Sequence, residues 1–199
     1  MTTNNSINFP VLDEDNLISD SATSLATQQS LKAYADANVY GSALETISTT
    51  TISGSPTKIA FTDLSTVYSM YIFYFSEWDT ASPDKIGIRT STDNGTSYES
   101  NSTDYYYSNR SYNLSGTPTE SSNIILTPVT PTTPSNFVIR VYNPAESSTA
   151  TFVTGFGSTG DTEYFYSAGA RQAAEANNAI QFLSSAMSGG TILFKGLRA

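Results

Sequence analysis

The spacing of apolar and polar positions changes character near residue 43. Residues 1–19 are polar, with Ile7, Phe9, Val11, Leu12, Leu17 and Ile18 scattered through them. Phe9-Pro10 reads as extended chain, because a residue before proline avoids the helical region. Residues 20–38 hold the one early helix candidate, a segment placed at about 24–38. Thr27 is an N-cap residue type, which leaves Gln28 to Asn38 helical. Leu31, Tyr34 and Ala35 then share one face at i, i+3, i+4 spacing. Ala26, Ala33 and Ala37 make a small-residue stripe beside it, and Gly41 follows as a stop signal. A helix this short is marginal alone in water. Its face must therefore pack on its own sandwich, on sister chains or on a partner protein. Leu25, Leu31, Tyr34 and Ala37 are the candidate contact residues.

From residue 43 the pattern is that of strands. Ala43 to Ile52 alternates loosely, and Thr57 to Phe61 is short and β-prone. Val67 to Phe75, VYSMYIFYF, is apolar on both faces except for Ser69. That pattern predicts a central strand covered twice. Ile86 to Thr90 alternates, and Asp93-Asn94-Gly95 is a hairpin signal, since Asn-Gly tolerates positive φ. Further strands are expected at Tyr105–Tyr107, Ile124–Leu126, Phe137–Tyr142, Ala150–Phe156, Glu163–Tyr166, Ile180–Leu183 and Thr191–Leu197. Ala168 to Asn178 is Ala-rich and reads as a helical turn or a loop. Asn143-Pro144 ends a strand, and Gly189-Gly190 predicts a tight turn before the last one. About eight short strands with turn signals between them predict a mainly β chain. The expected fold is an antiparallel β-sandwich, jelly-roll-like, over residues 43–199. It is preceded by a short N-terminal α-helical attachment segment over residues 1–42.

Composition narrows the function classes. Charged residues make up 14% of the 199-residue chain, and aromatics 12%. The formal net charge of -9 repels phosphate backbones, so nucleic-acid binding is not expected. No apolar run approaches the roughly 18 residues that span a membrane, so membrane insertion is not expected either. MTTNNSINFP lacks the basic and apolar regions of a signal peptide, which implies synthesis in a cytoplasm without ordinary export. Cysteine and histidine are absent. That removes disulfides, thiolate chemistry, Ser-His-Asp and Cys-His triads and the commonest transition-metal ligand. No GxSxG, Walker or GxGxxG pattern occurs. Paired carboxylates remain, Glu77 with Asp79 and Asp161 with Glu163, as glycoside hydrolysis needs. Loop carboxylates are common, however, and no enzyme activity is expected. Asp93, Asn94, Asp104, Asp161 and Glu163 are oxygen donors of calcium-binding type, without EF-hand spacing. Asp13-Glu14-Asp15 reads as a solvated loop. No metal or cofactor is expected. Aromatics are the better binding candidates: Trp78, Tyr105, Tyr106 and Tyr112 fall in or near loops, where rings stack on sugar faces. The alternative is that they pack into the sandwich or a subunit contact.

Two segments carry a resemblance. The first, DSATSLATQQSLKAYADAN from Asp20 to Asn38, resembles the "LATQQSIKAYVDA" segment of phage tail-fibre and other virion proteins. There it precedes an exterior domain. The second spans roughly residues 44–199. Its marks are Ile88-Arg89-Thr90 running to Asp93-Asn94-Gly95 and Tyr98, Ser102 to Tyr105, Ile139 to Pro144, and Ser188 to Leu197. It is similar to a β-sandwich domain of phage structural proteins that often ends in "SGTIKLYG". The resemblance implies a bacteriophage virion structural protein, on the exterior of the particle and made in the host cytoplasm. Residues 1–40 would contact other virion proteins, the sandwich would face outward with a host-surface glycan as one ligand, and the subunit would be a homotrimer. Only about twenty residues precede the helical segment, where fibres carry a long shaft. That leaves a short fibre, a fibre tip, or a capsid decoration protein that cements capsomers. The resemblance brings no catalytic residues.

Overall fold

The computed structural model describes residues 10–12, 25–38, 43–82, 84–111, 119–129, 134–159 and 163–199. They fall into two units, Met1–Ala43 and Leu44–Ala199. In the first, β1 (Val11–Leu12) pairs in parallel with β2 (Leu25–Ala26), and α1 spans Gln28–Asn38. Thr27 caps the helix as its residue type predicts: the Ser30 N–H donates to Thr27 Oγ1 at 2.9 Å. The carbonyl of Thr27 takes the Leu31 N–H at 3.0 Å. Leu31 and Tyr34 are 52% and 41% exposed. The side chains of Leu25, Ala35 and Ala37 lie outside the described residues.

The second unit is built of strands β3 (Leu44–Thr51), β4 (Lys58–Phe61), β5 (Tyr68–Thr80), β6 (Asp84–Ser91), β7 (Tyr105–Ser111) and β8 (Thr119–Ser121). They continue with β9 (Ile124–Val129), β10 (Ser135–Tyr142), β11 (Ala150–Thr159), β12 (Glu163–Ala174), β13 (Ala179–Leu183) and β14 (Met187–Arg198). One sheet runs β3-β14-β5-β10-β11-β12-β7-β8, the other β4-β13-β6-β9, both antiparallel. The chain is mainly β, and its two sheets share one core in a β-sandwich-like arrangement.

Period-two alternation fills that core. Tyr71, Phe73 and Phe75 of β5 lie in register with Val141, Ile139 and Phe137 of β10, and all six are buried. Rings on neighbouring strands stack: Phe73 on Phe194 at 4.6 Å and Phe75 on Phe137 at 4.4 Å. Rings from the opposite sheet meet them edge-on, Phe61 on Phe73 at 5.0 Å and Phe182 on Phe75 at 5.1 Å. Each such ring contributes about 1.5–3 kcal/mol by leaving water, with an edge-on term of about 0.5–1.5 kcal/mol beyond it.

Three expectations change, and one strand is added. Asp93-Asn94-Gly95 does turn, with φ of 55° at Asn94 and 87° at Gly95, but it makes no hairpin, because β6 and β7 belong to different sheets. The turn instead ties loops together. The Asp63 N–H donates to Asn94 Oδ1 at 2.8 Å, and the Asn94 N–H donates to Asn178 Oδ1 at 2.7 Å. The Ala-rich segment is strand, not helix or loop, as far as Ala174. Its small side chains suit a ribbon paired on both sides, by β11 and β7. At Gly169 a Cβ would sit 2.6 Å from Ile124 Cγ2 of the facing sheet, which is closer than packed carbons come. Gly189-Gly190 is a bulge inside β14, not a turn before it: Gly190 takes φ 116°, and the register to β5 shifts there. Finally β8 carries no apolar residue and was invisible to periodicity.

Arg171, on β12, is buried. Its Nη1 lies 3.0 Å from Asp104 Oδ1, its Nε 2.7 Å from Glu175 Oε1, and its Nη2 3.6 Å from Glu99. The guanidinium also covers the Tyr105 ring at 5.5 Å. Arg171→Ala would leave those carboxylates facing one another without their cation, and is expected to lower the unfolding free energy by about 3 kcal/mol in urea titrations.

Asp93 sets an acid limit. The Ser97 hydroxyl at 2.6 Å, the Ser97 N–H at 2.8 Å and the Ser91 hydroxyl at 2.7 Å all donate to its carboxylate. They lower its pKa to about 2. A carboxylate depressed in the fold stabilises it above the unfolded pKa, and that contribution is lost as pH falls through the folded value. Urea midpoints are therefore expected to fall between about pH 4 and pH 2, and Asp93→Asn should flatten part of that slope. Glu45 and Asp63 are lowered in the same direction and supply the remainder.

Candidate binding surface

The structure separates the sequence candidates. Trp78 and Tyr105 are both 0% exposed. Trp78 lies edge-on to Phe75 at 5.1 Å. The Tyr105 hydroxyl accepts the Thr90 N–H at 2.9 Å and donates to the Glu99 carbonyl at 3.2 Å. Neither ring has a face to offer a sugar, which corrects their assignment as glycan contacts: Tyr105 falls on the core parity of β7, and the bulge at Glu77 turns Trp78, which has the outward parity of β5, into the core. Tyr107 is half-buried against the core. Tyr106 is exposed, and Tyr112 lies outside the described residues.

The Asp79 and Asp104 carboxylates bond within the fold, and Glu77 is held through its backbone. The Glu77 N–H donates to Asn136 Oδ1 at 3.1 Å from a bulge with φ 54°. Asp79 Oδ1 accepts the Thr80 N–H at 2.8 Å. Asp104 takes the Asn101 N–H at 2.6 Å as well as Arg171. Asp161 and the side chain of Glu163 lie outside the described residues. Among the described residues no three Asp or Glu side chains are grouped to hold a metal ion.

What the structure adds is the outer face of the eight-stranded sheet. Since Tyr71, Phe73 and Phe75 point inward, Met70, Ile72 and Tyr74 point outward, and the registers carry that face across the sheet. One row reads Leu193, Tyr74, Val138, Phe156, Tyr166, Arg110 across β14, β5, β10, β11, β12 and β7. The next reads Lys195, Ile72, Arg140, Thr154, Ala168, Ser108, reaching β7. The third reads Leu197, Met70, Tyr142, Phe152, Ala170, Tyr106 and ends at Glu120 of β8. Phe152, Phe156, Tyr164, Tyr166 and Tyr106 are 44–57% exposed. Two depressions mark the face, one of about 180 Å³ between Tyr106, Ser108, Phe152 and Ala168, and one of about 290 Å³ beside Tyr74, Asn136 and Phe156.

Charge on this face is uneven. Arg140 and Lys195 sit toward the β14 side. At the far edge Glu120 accepts the Tyr106 hydroxyl at 2.5 Å, which raises the tyrosine's pKa. A surface that exposes this many rings is suited to contact with a partner or ligand. The signal was present in the sequence as Phe152 and Phe156, and Tyr164 and Tyr166, each at one parity. Alternation cannot say which parity faces out when both are apolar. A separate, polar depression of about 370 Å³ lies on the four-stranded sheet, lined by Asp84, Lys85, Arg89 and Asn123.

These placements predict opposite behaviour for two aromatic truncations. Trp78→Ala is expected to cost about 3–5 kcal/mol in urea titrations, so any loss of binding in it reports unfolding. Tyr106→Ala is expected to shift stability by no more than about 0.5 kcal/mol. No protein-family model matches the chain, and no curated protein matches it.

Proposed function

We propose that the protein is a structural component of a bacteriophage particle: a short fibre-like subunit held by residues 1–40 and displaying its sandwich outward. The observation that carries this reading is the ATSLATQQSLKAYADAN segment, Ala22 to Asn38, standing directly before an all-β unit. Its cap at Thr27 and helix α1 give the segment a defined form, and the exposed Leu31 supplies a contact for sister copies in a homotrimer or for another virion protein.

Strand order supports the same reading. Successive strands β3, β4, β5 and β6 alternate between the sheets, as do β9 with β10 and β13 with β14. We read β3-β14-β5-β10 facing β4-β13-β6-β9 as a jelly roll, widened by the paired strands β7–β8 and β11–β12. Jelly rolls build viral capsid and lectin domains. That is an analogy of fold, and the site must argue function. Among the described residues no helix is long and apolar enough to cross a membrane, and the reading assigns no cofactor and no catalysis. A host-surface glycan fits the reading as ligand, with Tyr106 left of the original ring set.

The second reading, a capsid decoration protein, is favoured by the breadth of the aromatic face, because cementing capsomers depends on buried contact area. Immunogold labelling of intact particles with antibody to residues 44–199 separates the two. Label at the tail is the expected result. Label spread over the head supports decoration, and particles lacking the protein should then lose heat resistance. Absence of the protein from purified particles overturns both.

A further inference from the structure

The outer face of the eight-stranded sheet is half of a contact whose other half is a second copy of this chain; we infer this from its coverage, its area and its charge, without recourse to where the protein is found. Coverage comes first. Strand β5 is apolar on both sides, with Tyr71, Phe73 and Phe75 within the sandwich and, on the outer side, Met70 and Tyr74 half-buried around Ile72, which is 6% exposed. Polar alternation would have kept the outer side wet, as in most antiparallel sheets with one solvated face. Instead Phe152, Phe156, Tyr164 and Tyr166 extend the apolar side over β11 and β12 and remain about half exposed. Single exposed apolar residues are ordinary, but two apolar rows flanking a row that holds Lys195 and Arg140, with five exposed rings on β11, β12 and β7, mark an interaction surface.

Area comes second. Six strands at about 4.8 Å spacing and four rows about 6.8 Å apart, the three above and the row of Tyr164, Ser158, Ser76 and Thr191, give a field of about 24 Å by 20 Å, or about 500 Å² in projection. Two such fields facing each other cover about 1,000 Å², the lower bound for a specific protein interface. The residues are those of an interface core, aromatic side chains, Met70 and Arg140, with carboxylates absent from the described side chains of the three rows except at Glu120.

Charge chooses the occupant. Lys195 and Arg140 occupy the β14–β10 half, while the β11–β8 half carries Arg110, in register with Tyr166, and ends in Glu120. A second copy laid with its β14–β10 half over the first copy's β11–β8 half brings cations over tyrosine rings and Lys195 toward Glu120. Like halves superposed would put cation on cation. The face thus carries both signs its partner needs, which an unrelated ligand would meet by coincidence.

The test is the solution mass of the full-length chain, by light scattering after size exclusion and by sedimentation across a dilution series. The wild type is expected to run as a multiple of its 21.4 kDa mass. Phe156→Asp with Tyr166→Asp is expected to run as a monomer with an unchanged β-type circular dichroism spectrum. Glu120→Lys should weaken association at least about tenfold, and adding Lys195→Glu to it should restore association by exchanging the signs. A monomeric wild type overturns the inference, whatever else then covers the face. Association that survives the double aspartate substitution also overturns it and moves the contact to residues 1–43.

Discussion

Strand β5 must satisfy two apolar faces at once, and the rest of the second unit is arranged by that demand. Its inner face is met within the chain. Phe73 and Phe75 stack on Phe194 and Phe137 beside them and receive Phe61 and Phe182 edge-on from the opposite sheet. Stacking within a sheet and edge contacts between sheets follow from strand geometry, since neighbouring strands are about 4.8 Å apart and facing sheets about 10 Å apart. The outer face has no such partner in the sheet order of its own unit. The four-stranded sheet is spent on the inner side, and β11, β12 and β7 extend the open face instead of folding over it.

The loops at one end of the sandwich hold that frame in place. Asp93, Asn94, Asp63 and Asn178 join three connections through side-chain and backbone hydrogen bonds. Arg171 does the same for the strand extension, reaching Asp104, Glu99 and Glu175 from β12. Chemistry-bearing residues are thus consumed in building.

Much of this architecture was legible in the sequence. Thr27 as cap fixed the helix start, and β-branched and aromatic runs located the long strands. What was not legible depended on long-range pairing. Asn94-Gly95 has the backbone of a hairpin turn, but a turn does not determine which sheet the next strand joins. Ala168 to Ala174 lacks strand formers and is strand because β11 and β7 bond it on both sides. Tyr105 falls on the core parity of β7, whereas Trp78 has the outward parity of β5 and enters the core through the bulge at Glu77, which periodicity does not contain. Tyr166 and Phe156 were legible as strand residues, though not as an exposed pair. The direction of a strand's faces is fixed by the opposite sheet, and local sequence does not contain it.

The claim on which this account turns is that the outer face is covered when copies of the chain meet. Hydroxyl-radical footprinting reads ring accessibility directly at Phe152, Phe156, Tyr164 and Tyr166, with buried Phe73 and exposed Val67 as internal limits. The account predicts that these four rings are protected in concentrated protein and become reactive on dilution, while Phe73 stays protected and Val67 reactive throughout. Rings that oxidise at one constant rate at every concentration would contradict it.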